Sequence, residues 1–304
     1  LLHVIRSMKC NGKAACILPH GVLFRGNAVA VIREKLIKSG FLKAIIGLPA
    51  NLFYGTSIAA CILILDKEND SAREGVFMID ARNDFKKDGP KNQLREQDIR
   101  KIIDVYNKSI DIPGYSRMVS IAEIKENKNK FNLNLTRYIN SSKKEDIQSI
   151  EGHLYGGIPQ TDINSLSEYW KIFPNVKNLL FETTGRPNFL KIKLPISDLK
   201  NKIFSHSEFS IFNDTIIKIF DKWKKNSLPK LKSFKVNDSP KELIDELSED
   251  LLLRFKSLPL INCYDLYQHL MEYWSQIMQD DCYVISDIGW KDGSKPQEIF
   301  KIKD

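Results

Sequence analysis

Four short apolar runs in the first 80 residues constrain this chain more than any other feature. Residues 14–18 (AACIL) stop at Pro19, residues 42–48 (LKAIIGL) stop at Pro49, and residues 57–65 (SIAACILIL) and 75–80 (GVFMID) complete the set. Each is too short for a buried helix and lacks the strict alternation of a half-wetted strand. They read as strands buried on both faces, in a sheet covered by helices. One amphipathic helix intervenes, with Asn27 as its cap, Val29, Ile32 and Leu36 facing inward, and Gly40 just past its end. The short connection between the second and third runs predicts an antiparallel neighbour pair. Four strands and one helix amount to half of an α/β sheet.

Beyond residue 91 the pattern turns helical. Ile99, Ile102, Ile103 and Tyr106 mark one helical face, and Pro113-Gly114 breaks it. The polar joint Ser141-Ser142-Lys143-Lys144 divides the chain into an α/β region, residues 1–142, and a mainly helical region, residues 143–304. The second region opens with the loop Gly156-Gly157-Ile158-Pro159. Ser239-Pro240-Lys241-Glu242 is a helix start, with a capping serine, proline at the first position and a glutamate able to bond back. Leu243, Ile244, Leu247, Leu251 and Phe255 form its inward stripe, and Pro259 ends it. Leu266, Tyr267, Leu270, Met271, Trp274, Ile277 and Met278 repeat that spacing. The Met271–Trp274–Met278 stripe reads as core before it reads as a partner surface, as do Tyr169, Trp170 and Trp223. The cluster Lys222, Lys224, Lys225, Lys230, Lys232 and Lys235 reads as a solvated face.

Charge is unevenly placed. The first 50 residues carry eight lysines and arginines against Glu34 alone, whereas residues 151–304 carry 21 cationic and 22 acidic groups. A basic first segment on a near-neutral remainder fits a chain that meets phosphate at one end, and equally a few surplus surface lysines. With 304 residues and 42% hydrophobic content, the chain has material for one large or two ordinary domains. No run approaches the ~20 apolar residues of a membrane span, and the opening residues have no signal-peptide pattern. Five cysteines in an odd, unpaired spacing argue against a disulfide framework and against zinc, and fit a reduced, cytoplasmic protein.

The most informative stretch is Leu48-Pro49-Ala50-Asn51-Leu52-Phe53-Tyr54-Gly55-Thr56. Two aromatics and a glycine occupy a tight connection between strands. A ring there can stack on a nucleobase, or Phe53 and Tyr54 can plug the end of the core. Arg25 follows the first strand's proline, on the side where open α/β sheets bind ligands, and is a candidate phosphate contact or a solvated arginine.

The segments GKAACILPHGVLFRG, LKAIIGLPANLFYGTSIAACILILDK and GVFMIDAR with KDGPKNQLREQDIRKI resemble the modification (methyltransferase) subunit of type I restriction–modification systems. The resemblance is close to about residue 140. It continues more loosely through NLNLTRYI, the GGIP loop, and the ELSEDLLLRF and YDLYQHLMEYW helices. It implies the latter half of a class I methyltransferase sheet followed by a helical domain. It further implies adenine-N6 methylation of a specific DNA sequence with S-adenosylmethionine, beside a specificity subunit, a restriction subunit and a second modification subunit on double-stranded DNA. Phe53 would then stack on the flipped adenine, with Tyr54 the alternative, and Arg25 would contact DNA.

The family's glycine-rich cofactor turn and its (N/D)PP(F/Y) motif are not among these 304 residues, which contain no GxGxxG and no consecutive prolines. The chain is accordingly expected to be a C-terminal fragment, inactive alone, without catalytic, cofactor or metal-binding residues of its own. The alternatives are a non-catalytic assembly and DNA-clamping module, or a decayed methyltransferase-like protein. The helical region, lacking surplus cations, is expected to dock protein.

Overall fold

The computed structural model describes residues 1–68, 70–126, 130–141 and 147–295. The chain forms two compact units, Leu1–Lys144 and Glu145–Asp304. Of the expected joint Ser141-Ser142-Lys143-Lys144, the last three residues lie outside the described residues.

In the first unit, α1 (Leu2–Ser7) leads into β1 (Lys13–Pro19), α2 (Asn27–Lys38), β2 (Leu42–Gly47), β3 (Ala60–Asp66) and β4 (Gly75–Asp80). A hairpin of β5 (Lys86–Asp88) and β6 (Lys91–Gln93) follows, then α3 (Glu96–Lys108) and β7 (Ser116–Ser120). Five strands form one sheet in the order β1-β3-β2-β4-β7. β3 runs antiparallel to both neighbours, with Leu63 opposite Cys16 on one side and Ile45 on the other. β4 is parallel to β2, and β7 antiparallel to β4. β1, β2 and β4 therefore all point the same way.

The two faces of the sheet carry separate cores, as strand alternation requires. Ile45, Leu63 and Leu65 pack on one side with Leu36 and Ile37 of α2, and with Leu133 and Leu135. Ala44, Ile46, Phe77 and Ile79 pack on the other with Ile102 and Val105 of α3. β2 and β4 are thus buried on both faces, as their apolar runs predict.

Several sequence-based expectations need correction. β1 is not buried throughout: its side chains alternate, and Ile17 is 57% exposed. Among the described residues β1 has one strand neighbour, β3, so it is an edge strand and one of its faces lacks helical cover. The third strand begins at Ala60 rather than Ser57. Asn27 makes no side-chain cap; it sits in the left-handed region at φ 56°, and Gly26 takes the cap position. On α3 the buried face is Asp98, Ile102 and Val105, while Ile99 and Ile103 are exposed. Asp98 is held on the inward face, where its carboxylate accepts from the Arg95 amide at 2.8 Å and from Arg95 Nη2 at 2.9 Å.

The second unit is mainly helical. Its long helices span Ser207–Ser233, Pro240–Phe255, Cys263–Tyr273 and Gln279–Gly293, the last broken by a kink at Gly289 (φ 81°) and joined to the third by a π turn at Trp274–Met278. Ser239 caps the second of these by accepting from the Glu242 amide, with Pro240 at the first position. Leu243, Ile244 and Leu247 meet Phe234, Trp274, Cys282 and Ile285, with Met271 and Met278 packed alongside. That stripe is core. Indole N–H groups reach carbonyls, Trp223 to Leu247 at 3.0 Å and Trp170 to Ile163 at 2.6 Å, so these rings are structural. Tyr169 is exposed. A small sheet, β8 (Ile158–Pro159), β9 (Phe181–Thr183) and β10 (Phe189–Ile192), runs in the order β8-β10-β9 and contains the GGIP loop's end.

The five cysteines are free thiols, Cys10 exposed and Cys61 buried. Burial pushes the Cys61 thiol up to about 12, so it holds almost no thiolate at neutral pH. Mass-spectrometric footprinting with iodoacetamide at pH 7.5 should label Cys10 first and leave Cys61 unmodified until the chain unfolds. Early labelling of Cys61 would contradict its place in the core.

Candidate nucleic-acid interface

Because β1, β2 and β4 are parallel, their carboxyl ends gather on one edge of the sheet, with the amino ends of β3 and β7 between and beside them. Ligands of open α/β sheets sit outside the carboxyl ends of the parallel strands. The turn 20–26, the loop 48–59, the β5–β6 hairpin and the segment leading into β7 all spring from this edge.

The loop after β2 turns through left-handed backbone at Asn51 (φ 54°) and Gly55 (φ 77°); at Gly55 any larger residue is strained. Its two aromatics separate. Phe53 is half-buried and packs with Leu52 against the cluster containing Ile46 and Leu48. Tyr54 is 94% exposed. Phe53 therefore shares in the core without being enclosed by it, and Tyr54 does not plug the core at all. The two residues share one loop; Arg25 belongs to another. β3 lies between β1 and β2, so at ~4.8 Å per strand the roots of the two connections stand roughly 10 Å apart.

Arg25 is exposed, and its side chain folds back over Gly21, where a Cβ would lie 2.7 Å from the Arg25 Nε. The turn itself is pinned by Arg33, buried beneath it: Nη1 donates to the carbonyls of Val22 and Arg25, both at 3.0 Å, and Nε to that of Phe131. His20, the first residue of the turn, is buried, and among the described residues its Nε2 has no hydrogen-bond partner.

Sequence reasoning passed over the strongest polar feature of this edge. Asp80, at the end of β4, is 2% exposed and forms a bidentate pair with Arg82, Nε to Oδ1 at 2.6 Å and Nη2 to Oδ2 at 2.7 Å. Ser141 donates to Oδ2 at 2.7 Å, and so ties the end of this unit's chain to the sheet. Burial opposes the Asp80 charge, but the bonds from Arg82 and Ser141 outweigh it and hold the carboxyl below its usual range. An Asp and an Arg two apart look like surface residues in a sequence; only the strand end makes them a buried pair.

Residues 1–147 match the N-6 DNA methylase family. That similarity ends with the first half of the chain. Among similar proteins, the type I restriction enzyme MpnII methylase subunit of Mycoplasma pneumoniae is 33% identical over 148 residues, 48% of this chain and 27% of that one. The MjaVII methylase subunit of Methanocaldococcus jannaschii is 38% identical over 140 residues, 44% and 24% of the two chains. A solved type I restriction–modification methyltransferase subunit from Streptococcus thermophilus is 40% identical, covering 45% of this chain and 29% of that one, with a TM-score of 0.43. The chain spans about a quarter of the length of the curated relatives it matches.

Enzymes of the N-6 methylase family use S-adenosylmethionine, and the residues on this edge do not fit it. The buried carboxylate of the edge, Asp80, has its oxygens occupied by Arg82 and Ser141, leaving none for ribose hydroxyls. The 304 residues contain no GxGxxG sequence. Among the described residues no group of three His, Cys, Asp or Glu side chains could hold a metal ion, and no helix is long and apolar enough to cross a membrane.

Burial, and secondarily the nearby Arg82, hold the His20 imidazole below its ordinary 6.5. Between that folded value and 6.5 the unfolded chain binds more protons, so stability must rise with pH across this window and fall as pH drops through it. An NMR titration of the His20 ring should give a midpoint below 6.5, and His20→Gln should flatten the loss of urea stability from pH 7 to 5. A midpoint at or above 6.5 would contradict the burial of this ring.

Proposed function

We propose that this chain is part of the modification subunit of a type I restriction–modification system, which methylates adenine N6 in a specific DNA sequence with S-adenosylmethionine. The observation that carries the reading is the N-6 DNA methylase match over residues 1–147, whose most accessible aromatic, Tyr54, stands on a loop at the ligand edge of the sheet. In this reading the first unit contributes the base-side wall of the site, and the cofactor turn and double-proline motif act from outside these 304 residues.

Phe53 stacks on the flipped adenine. Extruding a paired base costs a few kcal/mol, which a ring in the pocket offsets in part. Tyr54 is the second reading for that role, favoured by its exposure. Arg25, exposed on the neighbouring turn, contacts a phosphate of the same duplex. The helical second unit docks the specificity subunit, in an assembly with a second modification subunit and a restriction subunit. Exposed Ile211, Ile217, Phe220 and Leu228 on the helix Ser207–Ser233 supply apolar surface for that contact.

The test uses the full-length subunit assembled with its specificity partner. Phe53→Leu keeps apolar packing and removes the ring, so methylation should fall by roughly 5–150-fold, equivalent to ~1–3 kcal/mol of base stacking, with little change in melting temperature. If Tyr54→Ala causes that loss and Phe53→Leu does not, Tyr54 is the stacking residue. If neither changes methylation, the base-side assignment is wrong.

The isolated 304-residue chain should show no S-adenosylmethionine binding by calorimetry and no methyl transfer. Deleting residues 145–304 from the full subunit should abolish co-purification with the specificity subunit. Micromolar cofactor binding, or retained co-purification, would overturn the corresponding assignment.

A further inference from the structure

The aromatic loop is held mainly from outside its own strand connection. Within it, the Asn51 amide reaches the Ser57 carbonyl at 3.3 Å and Thr56 Oγ1 accepts from the Ile58 amide at 3.1 Å. Among the described residues, the other hydrogen bonds to residues 50–56 come from the β5–β6 hairpin. The Asn92 amide donates to the Asn51 carbonyl at 3.0 Å and its side-chain Nδ2 to the Ala50 carbonyl at 2.7 Å. Lys91 Nζ donates to the carbonyls of Phe53 at 2.7 Å and Thr56 at 3.3 Å. Two consecutive hairpin residues therefore grip the loop on both sides of its aromatics.

The chemistry of Lys91 is unusual for a surface lysine. It is half-buried, and among the described residues no carboxylate pairs with it. Two of its three protons go to main-chain oxygens flanking Tyr54, and the ammonium lies 5.9 Å from the centre of the Tyr54 ring, at the outer limit of a cation–π contact. The hairpin that carries it is short and sharply defined: Lys86 pairs with Gln93 and Asp88 with Lys91 around a two-residue turn, Gly89-Pro90. Gly89 has φ 56°, the positive first position that a Gly-X hairpin turn demands. A loop with left-handed residues at 51 and 55 has no ladder to order it, and a base-stacking ring must already be in place when the base arrives.

We propose that Lys91 and Asn92 are positioning residues that hold the 50–56 loop in its base-receiving shape, so that the β5–β6 hairpin acts as a brace for the stacking aromatic. This rests on the reading of Phe53 or Tyr54 as a base-stacking residue. Lys91 sets the spacing between the Phe53 and Thr56 carbonyls, and Asn92 fixes the entry of the loop at Ala50 and Asn51. Neither touches the reacting atoms.

Two measurements test this. Hydrogen–deuterium exchange on the 304-residue chain should show the loop's hydrogen-bonded amides, those of Asn51 and Ile58, exchanging at least tenfold faster in Lys91→Met and Asn92→Ala, with β2 and β3 unchanged, and Lys91→Arg should restore protection. In the full subunit with its specificity partner, Lys91→Met should lower kcat about tenfold, leave KM for S-adenosylmethionine unchanged, and be rescued by Lys91→Arg. Unchanged exchange in Lys91→Met and Asn92→Ala overturns the brace. Faster exchange with undiminished kcat overturns the positioning role. A fall in kcat without loosening of the loop also overturns it, and assigns Lys91 to the DNA. The underlying reading fails separately, when Phe53→Leu and Tyr54→Ala both methylate like the parent.

Discussion

β3 lies between β1 and β2 and runs against both of them. That reversal lets β1, β2 and β4 share one direction, so three chain connections leave the sheet on one edge. It also makes the β2–β3 connection a tight loop rather than a helical crossover. An aromatic pair in a crossover helix would face a core or solvent. In a tight loop at the ligand edge it can face a base. The short Leu48–Thr56 stretch acquires its place from this one antiparallel insertion.

Charge–carbonyl and charge–charge contacts hold the edge beside its apolar packing. Arg33 pins the turn after β1, Asp80–Arg82–Ser141 closes the end of β4, and Lys91–Asn92 grips the loop after β2. Each uses buried or half-buried polar groups with their bonds satisfied. Removing one partner from such a site leaves the other unpaired, which costs more than the pair contributes: about 3–5 kcal/mol for a buried ion pair. Such edges hold their geometry at the expense of tolerance to substitution. Gly47 belongs to the same arrangement, because a Cβ there would clash with Leu135 where the 131–139 segment crosses the end of β2.

Much of this was legible in the amino-acid sequence. Short apolar runs, two of them ending in proline, mark the strands, and the short spacing of the second and third implies their antiparallel pairing. The Phe53-Tyr54 loop stood out as chemistry between strands, and the Met271–Trp274–Met278 stripe read correctly as core. What escaped were features set by long-range contact. Burial of β1 was over-read because periodicity cannot tell an edge strand from a central one. The inward face of α3 is not legible from its isoleucines, because Asp98, a charged residue that accepts from the Arg95 amide and guanidinium, shares the buried face with Ile102. Lys91 and Asn92 meet a loop some 35 to 42 residues away, and no sequence spacing announces that contact.

The central claim is that this edge receives a base extruded from DNA. 2-Aminopurine placed at the target adenine reports on it directly, because its fluorescence rises when it leaves the duplex and is quenched when a ring stacks on it. In the full subunit with its specificity partner, the account predicts dim emission on binding the parent protein and a marked rise when the stacking ring of the 50–56 loop is removed, by Phe53→Leu or Tyr54→Ala. Equal emission from the parent protein and both variants, at saturating protein, would contradict it.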